Sequence, residues 1–221
     1  MTVVLDSNRV GSRSGVDSSL VIFLHGFGAN GNDLLGLADQ LSEHLPDTVF
    51  LAPDGPETCS VNPGGFQWFP IPWIDGSTEE ESERGLLRAT EDLEIFIKQS
   101  MEEEGLSEAE TILIGFSQGT MMALHVAPRM RDSILGVIGF SGRILNPECL
   151  SEECKSKPPT LLIHGDADDV VPFSSLSVAE ETLQECGFEV ETHVMEGSGH
   201  EISPDGLLAC LNFILLQLDL V

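Results

Sequence analysis

Basic residues are scarce in this chain: 10 lysines and arginines stand against 37 acidic residues among 221, a formal net charge of −27. Lysine is confined to Lys98, Lys155 and Lys157. A surface of that sign repels phosphate backbones and anionic lipids, so neither nucleic acid nor a membrane is expected as a partner. Long apolar runs are missing as well. No stretch approaches the ~18 residues of a membrane-spanning helix, and Met1 to Gly15 has no basic start followed by an apolar block. Membrane insertion and a secretory leader are therefore not expected, and a cytoplasmic protein is. The five cysteines, Cys59, Cys149, Cys154, Cys186 and Cys210, are odd in number and have no C-x-x-C spacing. Neither a metal site nor a disulfide framework is indicated; only Cys149 and Cys154, in one polar loop, are placed to pair, and reduced thiols are the simpler reading. Internal repeats, low-complexity tracts and linkers are absent too. The acidic excess itself has two readings. One is adaptation to salt, whose ions screen the repulsion between carboxylates; the other is a surface that merely aids solubility.

What is present describes a globular chain. The hydrophobic fraction is 41 %, and this length suits one domain over residues 1–221 that buries roughly 70 to 75 % of its unfolded surface. Val3-Val4-Leu5 reads as a short edge strand. Continuous apolar runs at 20–24, 48–51, 111–116, 134–140 and 160–163 have the composition of strands buried on both faces, and 189–194 alternates like a strand near a sheet edge. Helical spacing recurs at 34–45, 79–104, between Ser117 and Pro128, at 178–186, and after Ser203-Pro204, a capping residue with proline in the first helical position. Strands alternating with helices predict an α/β protein, a mostly parallel sheet with helices on both faces. From Asp54 to Thr78 there is no period, and Pro56, Pro63, Pro70 and Pro72 interrupt every candidate element. Loops of that length are functional or disordered, and the aromatics Phe66, Trp68, Phe69 and Trp73 argue against disorder.

Gly115-Phe116-Ser117-Gln118-Gly119 fits G-x-S-x-G where a strand-like run gives way to a helical one. In a nucleophile elbow such a serine is held above the sheet, and the glycines leave room for the neighbouring strand and helix. Gly139-Phe140-Ser141-Gly142 looks similar, but Arg143 replaces the second glycine, so Ser141 reads as an ordinary strand-end serine. In a parallel sheet, reactive groups gather at the carboxyl ends of the strands. Four segments put polar residues there: His25 to Gly31, Ser117, His164 to Asp169, and His200. A serine hydroxyl needs an imidazole base, and the base needs a carboxylate. Of six histidines, His200 lies in the flexible turn Glu196-Gly197-Ser198-Gly199-His200. His125 is two helical turns beyond Ser117, roughly 12 Å along the axis. His44 and His193 read as solvated or structural, and His25 and His164 as turn-shaping. For the acid, Asp166 is placed to bond the loop backbone, and local reasoning leaves Asp168 and Asp169 open. The order Ser, Asp, His is that of α/β-hydrolases.

Taken together, Leu24-His25-Gly26-Phe27-Gly28, the elbow, His164-Gly165-x-x-Asp168-x-Val170-Val171-Pro172 and Gly199-His200 resemble the phospholipase/carboxylesterase family through essentially the whole chain. That family includes small bacterial carboxylesterases and acyl-protein thioesterases. The resemblance implies an α/β-hydrolase fold without a cap domain, Ser117 as nucleophile, His200 as base and Asp168 as the triad acid, with Asp169 in a variable position. It implies an oxyanion hole from the backbone N–H groups of Phe27 and Gln118, and it places Phe66, Trp68, Phe69 and Trp73 beside the acyl site. Those aromatics read equally well as anchors of a long loop. Thr120 stands where the family often has glycine. The implied reaction is hydrolysis of small carboxylic esters through an acyl-enzyme, with no cofactor or metal. Thioesters and lysophospholipids are alternative substrates, and a non-catalytic ligand- or partner-binding member is the remaining alternative. A homodimer is left open by the sequence.

Overall fold

The computed structural model describes residues 4–220. The chain runs β1 (Ser7–Val10), β2 (Ser19–Leu24), α1 (Gly31–Leu35), α2 (Leu37–Leu41), β3 (Thr48–Pro53), β4 (Glu57–Thr58), β5 (Phe66–Gln67), α3 (Pro72–Asp75), α4 (Glu79–Glu104) and β6 (Thr111–Phe116). It continues through α5 (Gln118–Val126), β7 (Gly136–Phe140), α6 (Pro147–Glu153), β8 (Thr160–Gly165), α7 (Ser174–Glu185), β9 (Val190–Met195) and α8 (Pro204–Gln217). Seven strands form one sheet in the order β1-β3-β2-β6-β7-β8-β9. Only the β1–β3 pairing is antiparallel; the others are parallel.

The apolar runs are explained by two cores, one on each face of this sheet. Along β2, Leu20, Ile22 and Leu24 pack with α4, α5 and α7 through Leu93, Ile97, Met122 and Leu183. Val21 and Phe23, pointing the other way, pack with α1, α2 and α8 through Leu34, Ala38, Phe213 and Ile214. A strand covered on both sides has no face left for polar residues. Helix α4 occupies the predicted span. Thr78 and Glu81 form a reciprocal capping box at its start, and Gly105, in the left-handed region at φ 70°, ends it.

Several elements differ from the sequence expectation. The edge strand is Ser7–Val10 rather than Val3–Leu5; Val3 lies outside the described residues, and Leu5 is buried in the core instead. The helix expected over 34–45 divides at Gly36 into α1 and α2. Helix α7 begins at Ser174, a full turn before Val178, because Pro172 and Phe173 already turn the chain. The polar segment after Ser141 contains α6, which opens on Pro147. Within the long loop, β4 and β5 make a two-stranded ribbon and α3 a single turn.

Candidate active site

Strand β6 ends in a turn whose backbone few L-residues adopt: Ser117 has φ 52° and ψ −113°. Such a conformation persists only where the surroundings hold it. Here the Ser117 N–H donates to Phe140 O at 2.8 Å, and Ser117 O accepts from Met121 N at 3.2 Å. The flanking glycines have no alternative. A Cβ on Gly119 would sit 1.8 Å from Leu24 O, and one on Gly115 would sit 2.4 Å from Thr120 N. Thr120 is accommodated by glycines on the next strand, because a Cβ on Gly139 would lie 2.5 Å from its methyl. Its hydroxyl lies 2.8 Å from both Gly115 O and Phe140 O, joining the two strand ends.

His200 and Asp168 meet across 32 residues of chain, with Nδ1 2.7 Å from Oδ2. Because an ionised carboxylate can only accept, Nδ1 carries the proton and Nε2 is left with its lone pair. The His200 ring packs on Phe116, centroid to centroid 4.9 Å, and so lies next to the elbow. The Asp168 side chain is fully buried. Its Oδ1 accepts from Val170 N at 2.9 Å and Val171 N at 2.8 Å. Burial pushes this carboxyl up, but hydrogen bonds from His200, Val171 and Val170 outweigh it, and the group lies below the ordinary aspartate value. Asp169 is exposed, and Asp166 accepts from Gly197 N at 2.7 Å, tying its loop to the one that carries His200. That loop lies so close that a Cβ on Gly165 would be 2.3 Å from Ser198 O.

The turn after β2 is fixed from the opposite side. Buried His25 donates from Nδ1 to Gly26 O at 2.7 Å and accepts from Gly55 N at Nε2 at 2.8 Å, and burial lowers its pKa. Gly28, at φ 77°, donates to Phe66 O at 2.8 Å, and its carbonyl accepts from Asn62 Nδ2 at 2.6 Å. Among the described residues, the backbone N–H groups of Phe27 and Gln118 have no internal acceptor. Gln118 opens α5, where the first N–H groups have no helical partner and the dipole favours negative charge.

The four aromatics separate into two kinds. Trp68 and Phe69 are buried at 0 % and 5 % exposure. Trp68 donates from its indole to His25 O at 2.9 Å and from its backbone to Gln118 Oε1 at 3.0 Å, while Gln118 Nε2 donates to Phe69 O at 2.7 Å. Both are anchors, with no surface to offer a substrate. Phe66 is half-buried beside the Phe27 turn, and Trp73 is 66 % exposed under the Arg143 guanidinium, 4.8 Å from the ring centroid.

Two contributions were not read from the sequence, and a third, that of His164, was read only as turn-shaping. The Gln118 side chain clamps the long loop to the elbow, and no periodicity marks a buried amide. Arg143 covers Trp73 across 70 residues of chain. His164 places Nε2 3.0 Å from Val171 O and 3.3 Å from Asp168 Oδ2; the His164-x-x-x-Asp168 spacing was the available signal.

The comparisons with known proteins identify the family to which this fold belongs. Residues 5–218 match the sequence profile of the phospholipase/carboxylesterase family. Acyl-protein thioesterase 1 of Saccharomyces cerevisiae is 29 % identical over 224 residues, covering 96 % of this chain and 98 % of the relative. Esterase YpfH of Escherichia coli is 28 % identical over 183 residues, covering 83 % of this chain and 76 % of the relative. The crystal structure of esterase PE8 superposes with a TM-score of 0.91 at 40 % identity, over 96 % of this chain and 98 % of that one. A match over nearly the whole length, on a doubly covered parallel sheet ending in a strained serine, means that the chain belongs to the phospholipase/carboxylesterase family of α/β-hydrolases.

Proposed function

We propose that the protein is a serine carboxylesterase acting on short- to medium-chain carboxylic esters, with Ser117 as nucleophile, His200 as general base and acid, and Asp168 orienting the imidazole. Ser117 Oγ attacks the ester carbonyl as His200 Nε2 takes its proton. The carbonyl oxygen, now negative, faces the N–H groups of Phe27 and Gln118. His200 returns the proton to the departing alkoxide, and water, activated by the same ring, releases the acid from Ser117. The observation that carries this reading is the 2.7 Å contact between His200 Nδ1 and a carboxylate sealed from solvent. It sets the tautomer that a base requires and steadies the imidazolium. Nucleophile–base bonds of this kind commonly tighten only around substrate.

Among the described residues no cap domain lies over the strand ends, and the mouth of the site suits small or accessible esters. A second reading, thioester hydrolysis by the same groups, is favoured by the yeast relative's name. Intact-mass measurement after a fluorophosphonate probe tests the nucleophile: one adduct on Ser117 is expected, and an unlabelled protein would overturn the reading. Parallel hydrolysis of short esters, long-chain thioesters and lysophospholipid then separates the substrates, with the short esters expected to turn over fastest.

A further inference from the structure

Between the end of β2, helices α1 and α2, and the residues following His200 lies a cavity of about 430 Å³. Its wall is largely apolar, with Gly26, Leu34, Leu37, Phe116 and Ile202, and carries one carboxylate, Asp33, and the His25 imidazole, whose two nitrogens are already engaged by Gly26 O and Gly55 N. This volume falls within the roughly 300–1,000 Å³ of small-molecule pockets. Two contacts place its wall beside the residues that carry the reacting atoms. A Cβ on Gly26 would lie 3.3 Å from Ser117 Cβ and 3.2 Å from Phe116 Cδ1, so that wall borders the nucleophile. Phe116 carries the His200 ring at 4.9 Å, and Ile202 follows His200 by two residues. The cavity therefore adjoins Ser117 and His200 through Gly26, Phe116 and Ile202, which stand in its wall while the two reacting residues do not, and it is flanked by α1 and α2 rather than by Trp73.

Acylation decides which part of an ester belongs there. The bond from Ser117 Oγ to the carbonyl carbon forms, the bond from that carbon to the alcohol oxygen breaks, and the proton taken from Ser117 passes through His200 Nε2 to the departing oxygen. The alcohol oxygen must consequently face His200, and its substituent occupies the space beside that ring. We propose that this cavity is the alcohol subsite and that it selects esters of uncharged, apolar alcohols. The proposal rests on the esterase reading above. Leu34, Leu37, Phe116 and Ile202 offer no partner to a polar group. Asp33, held by Asn30 N–H on its Oδ2 at 2.9 Å, repels an anionic one such as a phosphate-bearing alcohol.

Leu37 is the residue to change, because it lines the cavity, is half-buried and is outside the triad, the oxyanion turn and the elbow. Wild type, Leu37→Trp and Leu37→Ala are compared on acetates of methanol to hexanol and on methyl esters of acetic to hexanoic acid. In wild type, kcat/KM rises along the acetate series by up to about fourfold per buried methylene. Leu37→Trp narrows the cavity and flattens that rise, by at least about tenfold at hexyl acetate. The dependence on acyl length along the methyl-ester series keeps its wild-type slope, and the rate of acetyl-enzyme hydrolysis, in which the alcohol has already left, does not change. Should Leu37→Trp fail to fold, Leu37→Ala decides, with preference moving toward cyclohexyl and benzyl acetate. A folded variant that leaves the hexyl-to-methyl ratio unchanged, or that alters the acyl series instead, overturns the proposal while the esterase reading stands. Wild type that neither turns over any ester nor takes up the fluorophosphonate retires both.

Discussion

Ser117 and Ser141 follow the same Gly-Phe pair at the ends of neighbouring parallel strands, with Gly115 opposite Gly139 and Phe116 opposite Phe140 in the β6–β7 register. Both have left-handed backbones, φ 52° and 48°. Both donate their N–H to the next strand over, Ser117 to Phe140 O and Ser141 to Ile163 O, each at 2.8 Å. The twisted backbone therefore does not select the nucleophile; what surrounds it does. Ser117 is followed at once by α5, is 9 % exposed, and has the His200 ring packed at a tilt against the preceding phenylalanine. Ser141 is followed by Gly142 and Arg143, is 0 % exposed, and has a buried hydroxyl without a partner among the described residues. Phe140, unlike Phe116, is sealed in the core.

The largest difference expected between these two serines is in turnover. Ser117→Ala should lower kcat by a factor on the order of 10⁶, the scale seen when a triad serine is removed. Ser141→Ala should leave ester hydrolysis within about twofold. Steady-state rates on one short ester, corrected for folded fraction, check both. Comparable losses in the two variants would mean that the elbow conformation, and not the His200 side, defines the site. The next difference concerns the acids. Asp168→Asn should cost roughly 10⁴ in kcat, since an amide can donate to the ring and favour the wrong tautomer, whereas Asp169→Asn, on an exposed side chain, should stay near wild type. The reverse result would move the triad by one residue.

Much of this was legible in the chain because parallel strands declare themselves. Val21 and Ile22 are both apolar since both faces are covered, and 79–104 keeps one stripe with a cap at each end. The polar ends of those strands then had to meet. What could not be read was long-range and nonperiodic. Arg143 in place of the second glycine marks Ser141 as no elbow, yet Ser141 shares the positive φ of Ser117, and burial and the absence of a following helix separate the two. Trp68 and Phe69 share a run of aromatics with Trp73, but their burial depends on the Gln118 amide, fixed only when the chain folds. Asp168 and Asp169 are adjacent and chemically alike; the two backbone N–H groups and two imidazoles around the first are properties of the fold.

Helix α5, which Ser117 has and Ser141 lacks, brings its own acid sensitivity. His125 near its end is buried, and burial, reinforced by Arg129, lowers the imidazole pKa from 6.5 to about 4. The unfolded chain takes up this proton first. Stability is therefore lost as pH falls from 6.5 toward about 4, and no more is lost through this group below that. At about 1.4 kcal/mol per pKa unit, the contribution is up to about 3 kcal/mol. Urea unfolding at pH 7 and pH 4.5 should show wild type losing more stability than His125→Leu, and parallel losses would remove His125 as the cause. Replacing Ser117 or Ser141 by alanine should leave that difference unchanged.

The smallest effect tests whether the two strand ends are one mechanical unit. Thr120 reaches across from α5 to both, with its hydroxyl 2.8 Å from Gly115 O and Phe140 O. A Cβ on Gly139 would strike the Thr120 methyl at 2.5 Å and meet nothing else nearer than 3.5 Å. Gly139→Ala should therefore destabilise by about 2 kcal/mol through overpacking. Thr120→Ser deletes that methyl and keeps the hydroxyl, so the double variant should regain at least about 1 kcal/mol relative to additive losses, as expected for side chains in direct contact. Catalysis gives an independent readout: the Gly139→Ala clash is transmitted by Thr120 to the backbone that sets Ser117, so kcat should fall in the single variant and recover in the double one. If stability recovers but kcat does not, Ser117 is held by its own strand and helix, and the resemblance between the two turns carries no mechanical coupling.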